Sequence, residues 1–292
     1  MPIILLSSMA ESNSFFIKFL NNLPFKKVIW AVLLYILVCG IYYNYQERFF
    51  FKPTPFGTDA AYQFENANFN VSYSPIIFDS ANKFDVARFS PKTDSAKGVV
   101  IYFHGNSGNI GTQAKRVEVF TNNGYECWVM DYPGYGRSIG NFDLENIYSA
   151  AGQLYKMATA KYGPGQVIIY GFSFGTTIAS NLATHKQSKA VILEAPLYNI
   201  QSLVKRYLFF IPVNALTKYE IQNNENISRI KAPVTIFHGT EDNTVPYKQS
   251  QKLVPLLNPK DKFITIENGT HKDVYTNPVY TDAIKQILGA DQ

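Results

Sequence analysis

Cysteine is nearly absent from this chain. Its two copies among 292 residues, Cys39 inside an apolar run and Cys127 in a predicted strand, exclude a disulfide framework and offer no metal-ligand spacing. Charge is sparse as well: 17% of residues are Asp, Glu, Lys or Arg. The net +5 is scattered rather than gathered with aromatics into a stripe, which excludes a nucleic-acid groove. Histidine occurs four times, so the search for a general base is short. The glycine-rich stretch 104–109 lacks the lysine of a P-loop and the spacing of a dinucleotide fingerprint, which removes a nucleotide site. No cofactor and no metal are expected.

Long apolar runs are equally scarce, and the single one is informative. Val28–Tyr43 carries no charge and is flanked by Lys26-Lys27 and by Gln46-Glu47-Arg48. It reads as a short membrane anchor, with Trp30 near one end and Tyr42, Tyr43 and Tyr45 near the other, where amphipathic rings meet the headgroups. A cleaved signal peptide shares this basic-then-apolar layout, but no small-x-small cleavage site follows the run, so an uncleaved anchor is expected. Lys18, Lys26 and Lys27 outnumber Glu11 ahead of it, which predicts a cytoplasmic N-terminus and the remainder of the chain on the non-cytoplasmic side. The expected division is a cytoplasmic segment over 1–27, an anchor over 28–45, a Pro- and Gly-bearing linker over 46–63 and one domain over 64–292.

Within that domain, two alternating segments, 69–78 and 84–89, suit antiparallel edge strands. Continuous apolar strands then alternate with helices: strands at 99–103, 127–131, 167–170, 190–193, 234–238 and 263–266, helices at 113–121, 144–162, 174–186, 247–256 and 278–288. This rhythm predicts an α/β fold with a mostly parallel sheet covered on both faces and ligands bound at the strands' carboxyl ends. The aromatic-rich interval 196–232 is too long for an ordinary connection and reads as a lid-like insertion or a helical cover of the sheet.

Chemistry is carried first by Gly171-Phe172-Ser173-Phe174-Gly175, placed between a strand and a helix. That context lifts a serine hydroxyl clear of the sheet on a sharp turn. A serine nucleophile needs a base and a group to orient the base, in the chain order serine, acid, histidine. Only His271 follows both Ser173 and a suitable acid; the acid candidates are Glu241 and Asp242, of which Asp242 is preferred. His104 and His238, each beside a glycine, read as loop fasteners, and Asp131 as a turn carboxylate that accepts backbone N–H groups. The backbone N–H groups of Phe174 and Asn106 are the expected oxyanion donors.

Taken in order, these segments make residues 70–290 resemble the alpha/beta hydrolase superfamily. More narrowly, the chain resembles the membrane-anchored serine hydrolases related to the fungal bud-emergence suppressor proteins and to the eukaryotic alpha/beta-hydrolase-domain lipases and depalmitoylases. The resemblance rests on residues 45–53 after the anchor, on 104–109, on Asp131-Tyr132-Pro133-Gly134-Tyr135-Gly136-Arg137-Ser138, on 171–175 and on 238–246. It implies an eight-stranded alpha/beta-hydrolase sheet, with Ser173 as nucleophile, His271 as base, Asp242 as orienting acid and backbone donors at Asn106 and Phe174. The implied substrates are carboxylic esters or thioesters of acyl or lipid type, met at a membrane. A serine peptidase of the same fold and a non-catalytic membrane-tethered interaction protein are the alternatives; no exposed acidic pair is placed to hold a peptide amine, and a mere scaffold has no need of all three residues. One departure is Lys272, where similar proteins often carry a small or polar residue.

Overall fold

The computed structural model describes residues 24–57, 62–64, 68–93 and 95–289. Two units separate. One is built on the first helix together with Asn214–Lys218, the other on the chain from Phe50 onward.

The first helix, α1, spans Pro24–Phe50 and is longer at both ends than the apolar run. Polar helix formers carry it outward, Lys26 and Lys27 at the start and Gln46–Arg48 at the end, and it stops ahead of Pro53. Phe25–Arg48 is long and apolar enough to cross a membrane, about 36 Å at 1.5 Å per residue against a hydrocarbon core of about 30 Å. The cytoplasmic segment expected over 1–27 lies outside the described residues except for Pro24–Lys27. Within this unit, buried Gln46 treats a neighbouring backbone as a strand would: its Nε2 donates to Leu216 O at 3.0 Å and its Oε1 accepts from Lys218 N at 2.8 Å. Tyr42 and Thr217 join through their hydroxyls at 2.8 Å.

The larger unit holds an eight-stranded sheet. Its strands are β1 (Phe69–Tyr73), β2 (Val86–Pro91), β3 (Val99–Phe103), β4 (Glu126–Met130), β5 (Val167–Phe172), β6 (Ala190–Glu194), β7 (Val234–Gly239) and β8 (Lys262–Ile266), in the spatial order β8-β7-β6-β5-β3-β4-β2-β1. All neighbours are parallel except β2, which runs antiparallel to both β4 and β1. The expectation of two edge strands is therefore half right: β1 is the edge, while β2 is interior and mostly buried. The near-continuous apolar sequences of β3 to β7 follow from burial on both faces.

Side chains alternate across the sheet. Val100 and Tyr102 of β3 join one core with Val117 and Phe120 of α2 (Ala114–Thr121) and with Tyr280, Ile284 and Leu288 of the last helix, Pro278–Leu288. Val99, Ile101 and Phe103 face the opposite side, where α3 (Leu144–Tyr162) and α4 (Gly175–His185) pack together. Local signals set the helix ends: Asp143 accepts from Glu145 N and Asn146 N at the start of α3, and the chain leaves α3 through Gly163 and Pro164.

The expected linker 46–63 differs in kind. Gln46–Phe50 complete α1, Phe51 is buried against Phe142, Phe174 and Tyr219, and Lys52–Pro53 pair in parallel with Ser107–Gly108. An aromatic residue that is 5% exposed cannot belong to a free tether. Residues 196–232 form short helices, Ile200–Tyr207, Val213–Leu216 and Asn223–Asn226. Buried Asn223 fastens this region to α4 by accepting from Ser180 Oγ at 2.8 Å and donating to Thr176 Oγ1 at 3.0 Å.

Candidate active site

Ser173 follows the last residue of β5 and sits at φ 53°, a left-handed conformation that costs a non-glycine residue about 1–2 kcal/mol. Its neighbours hold it there. Ser173 N donates to Glu194 O of β6 at 2.8 Å, and Thr176 donates to Ser173 O through both N (3.0 Å) and Oγ1 (2.6 Å). The turn also requires glycine at 175, because a Cβ there would lie 1.9 Å from Phe103 O. Ser173 is 4% exposed, and its Oγ makes no hydrogen bond among the described residues.

Asp242 and His271 arrive on loops leaving β7 and β8. The loops touch backbone to backbone at Gly239, where a Cβ would meet Gly269 O at 2.1 Å. Glu241 N donates to Gly269 O at 3.0 Å and Asn268 N to Thr240 Oγ1 at 2.8 Å, so the loops are stitched together. Asp242 is buried and folds its own loop, its Oδ1 accepting from Thr244 N and Val245 N, both at 2.8 Å. Its Oδ2 lies 2.7 Å from His271 Nδ1. Glu241, the other acid considered, is exposed.

Burial opposes the charge on Asp242, yet the hydrogen bonds from His238 and His271 outweigh it and bring the carboxyl down to about 2. An ionised carboxylate only accepts, so Nδ1 of His271 is the protonated nitrogen that faces Asp242, which leaves Nε2 as the nitrogen open to other partners. His238 is closer to the site than its reading as a loop fastener implied. Its Nε2 donates to Val245 O at 2.8 Å and stands 3.2 Å from Asp242 Oδ2, so it fastens the loop and supports the acid together. Its place at a strand end, four residues before the acid, was the available signal.

The loop after β3 is crosslinked through Asn106. Its carbonyl accepts from Lys52 N at 2.9 Å and from Tyr135 Oη at 2.8 Å, and its Nδ2 donates to Phe50 O at 2.8 Å. The N–H groups of Asn106 and Phe174 have no acceptor among the described residues. A Cβ on Gly105 would stand 3.5 Å from Ser173 Cβ, which brings this loop beside the serine. Asp131 behaves as a turn carboxylate, taking Ile110 N at 2.8 Å and Tyr62 Oη at 2.7 Å, and His104 stands 3.1 Å from it, fully buried.

A cavity of about 490 Å³ opens beside His271, with Lys52, Asn106, Arg116, Phe172 and Lys272 in its wall. Ser173 is not in that wall, and no hydrogen bond joins its Oγ to His271; Phe172, its chain neighbour, packs its ring 5.0 Å from the imidazole. Behind Phe172 lies a buried ion pair that no local sequence pattern announces. Arg116 lies 3.9 Å from the centre of the Phe172 ring and donates to Glu194 Oε1 at 2.8 Å, while Tyr170 donates to the other carboxylate oxygen. Burial disfavours the guanidinium charge, but Glu194 more than compensates and holds it protonated, above its ordinary value. Within the described residues no cluster of His, Cys, Asp and Glu is arranged to hold a metal.

Among known proteins, the family described as serine aminopeptidase, S33, matches residues 94–225. Alpha/beta hydrolase domain-containing protein 17B of Xenopus laevis is 30% identical over 68% of this chain and 68% of its own. Lysophosphatidylserine lipase ABHD12 of Danio rerio is 30% identical over 73% of this chain and 64% of its own, so the chain spans less than two thirds of that lipase's length. Among solved structures, an esterase of Pyrococcus furiosus superposes with a TM-score of 0.66 at 15% identity, over 82% of this chain and 97% of that one. The fold is shared with that esterase, and 30% identity to an alpha/beta hydrolase domain-containing relative, 68% of whose length is covered, leads to one conclusion: the chain belongs to the alpha/beta hydrolase family.

Proposed function

We propose that the protein is a membrane-attached serine hydrolase that cleaves carboxylic esters or thioesters of acyl or lipid type. The observation that carries this reading is the 2.7 Å contact between His271 Nδ1 and an ionised, buried Asp242, together with a strained serine on the turn after β5 whose chain neighbour Phe172 packs its ring 5.0 Å from the imidazole. In the proposed cycle Ser173 Oγ attacks the substrate carbonyl carbon while His271 Nε2 takes its proton. Asp242 stabilises the imidazolium, and the N–H groups of Asn106 and Phe174 receive the oxyanion. Collapse breaks the ester C–O bond (or thioester C–S bond), and the imidazolium returns its proton to the leaving oxygen or sulfur. Water then repeats the sequence on the acyl-enzyme, releasing the acid and the free serine.

The relatives' names support an ester substrate with a lipid acyl chain; the family match to a serine aminopeptidase keeps peptide amides as the second reading. Two measurements decide. A fluorophosphonate probe is expected to label the wild type and not Ser173→Ala; equal labelling removes the nucleophile assignment. On a panel of p-nitrophenyl esters and aminoacyl p-nitroanilides, long acyl esters are expected to win. Preference for the anilides would establish the peptidase instead. The proposed topology, with residues 60–292 on the opposite side from the N-terminus, is read by protease protection in sealed vesicles, and protection of both on one side reverses it.

A further inference from the structure

We infer that Asn223, a residue of the 196–232 insertion, is a positioning residue for the oxyanion site: through Thr176 it holds the carbonyl of Ser173 and so aims the N–H of Phe174. The inference rests on the proposed hydrolase reaction, in which that N–H receives the oxyanion, and it adds a part to the same site.

The peptide bond between residues 173 and 174 is trans and planar, so Ser173 O and the N–H of Phe174 leave it in opposite directions and turn together. Whatever fixes the oxygen fixes the donor. Ser173 O is fixed twice, by Thr176 N at 3.0 Å and by Thr176 Oγ1 at 2.6 Å. The backbone bond comes with a tight turn into a helix, whereas the hydroxyl bond needs the side chain at 176. A left-handed φ of 53° at Ser173 persists only where its surroundings hold it, and this clamp is part of what holds it.

A threonine hydroxyl has one proton to give. Thr176 gives it to Ser173 O, which leaves its oxygen to accept, and Asn223 Nδ2 donates to that oxygen at 3.0 Å. The other proton of Nδ2 goes to Leu197 O at 2.8 Å, and Asn223 Oδ1 accepts from Ser180 Oγ at 2.8 Å. The bonds therefore run one way, from Asn223 through Thr176 to the carbonyl of Ser173. Hydrogen bonds aligned in this manner polarise one another, and a polarised carbonyl makes the N–H at the far end of its amide a stronger donor. Asn223 and Thr176 are each 0% exposed, so solvent does not compete for these groups.

Fastening alone does not account for the bond to Thr176. Ser180 of α4 already ties the insertion down, with Asn223 Oδ1 and Asn226 Nδ2 both on its hydroxyl. Burial in α4 does not by itself bring a hydroxyl a partner either, since Thr177 Oγ1, next in the chain, is buried and has none among the described residues. Thr176 is where the insertion's polar contacts continue into the turn of the nucleophile.

The test uses the full chain in detergent micelles, with the best p-nitrophenyl ester and an alkyl trifluoromethyl ketone. Ser173 Oγ adds to the ketone carbon, His271 takes the hydroxyl proton, and the ketone oxygen becomes an oxyanion on the donors of Asn106 and Phe174. Deleting an oxyanion donor outright costs roughly 10²–10³-fold, and misdirecting one in Thr176→Val is expected to cost about tenfold in kcat. KM should stay within about twofold and ketone affinity should fall with kcat, as befits an interaction made only in the transition state. Thr176→Ser, which keeps the hydroxyl, should restore both. Asn223→Leu should lose about threefold in the same direction, while Ser180→Ala, which loosens the fastening but spares the bond to Thr176, should not. Wild-type kcat in Thr176→Val overturns the inference, as does an equal loss in Thr176→Ser or in Ser180→Ala. Where the valine variant does not fold, Thr176→Ala, a better helix former, takes its place.

A second readout needs no catalysis. The dipeptide Ser-Phe occurs only at 14–15 and 173–174, so labelling serine carbonyl carbon with ¹³C and phenylalanine nitrogen with ¹⁵N isolates this amide by nuclear magnetic resonance. The Ser173 carbonyl signal should move upfield in Asn223→Leu and stay in place in Ser180→Ala. An unmoved signal in Asn223→Leu overturns the inference even if esters are cleaved. A moved signal in a protein that cleaves no ester keeps the contact through Thr176 and fails the hydrolase reading instead.

Discussion

Asp242 is asked to do two jobs with two oxygens, closing its own loop through Oδ1 and orienting His271 through Oδ2. Because its folded value is about 2 against an ordinary 3.8, its contribution to stability is fully present above about pH 4 and is lost as the pH falls through about 2. Acid unfolding of Asp242→Asn, followed by circular dichroism, should lack that portion of the pH dependence, and any acidic limb of the rate profile above pH 4 belongs to a group other than Asp242. Ser173 offers a second test at this scale. Ser173→Ala keeps the left-handed strain, while Ser173→Gly removes it at an entropic cost of about 0.5–1 kcal/mol. Both variants should be inactive, and the glycine variant should be more stable by about 1 kcal/mol, read as a Tm higher by ~2–4 °C.

The elements bring these residues together through contacts that tolerate no extra atom. Gly239→Ala places a methyl 2.1 Å from Gly269 O, which must part the acid loop from the histidine loop. Displacement on that scale costs about 10²-fold in rate. The expected outcome is that loss in kcat for the best ester, with far-ultraviolet circular dichroism unchanged; retention of activity would show that the loops adjust. Glu194→Gln removes the counter-charge of Arg116 between β6 and α2 and should cost about 3–5 kcal/mol, the penalty for a buried ion left alone, measured by urea unfolding. Much of this scaffold was legible beforehand, since β3 to β7 are predominantly apolar and rich in Val, Ile and aromatic residues, and the helix ends carry Asp143, Gly163 and Pro278. Asp242 and His271 were legible through chain order alone. What escaped was set by tertiary pairing: the interior place of β2 and the ion pair behind Phe172 depend on partners up to 78 residues away, which no local pattern records.

At the scale of the molecule, a helix able to span a bilayer precedes the sheet, and the chain between them is short. Phe50, at the end of α1, receives Asn106 Nδ2 on its carbonyl; Phe51 fills a nest of aromatics around Phe174; Lys52 N holds Asn106 O. Phe50, Phe51 and Lys52, which the sequence suggested as part of a spacer, therefore belong to the larger unit. A chain beginning at Phe50 should keep esterase activity, whereas one beginning at Phe56, where composition changes, should fold less stably and lose it; equal activity of the two would separate this segment from catalysis. The consequence concerns release. On the proposed reading, a protease that severs the chain after Lys52 would not set free a working soluble enzyme, because it removes the backbone struts that Phe50 and Lys52 give the Asn106 loop. Shedding would act as an off switch, and activity would stay confined to the membrane that holds the intact protein.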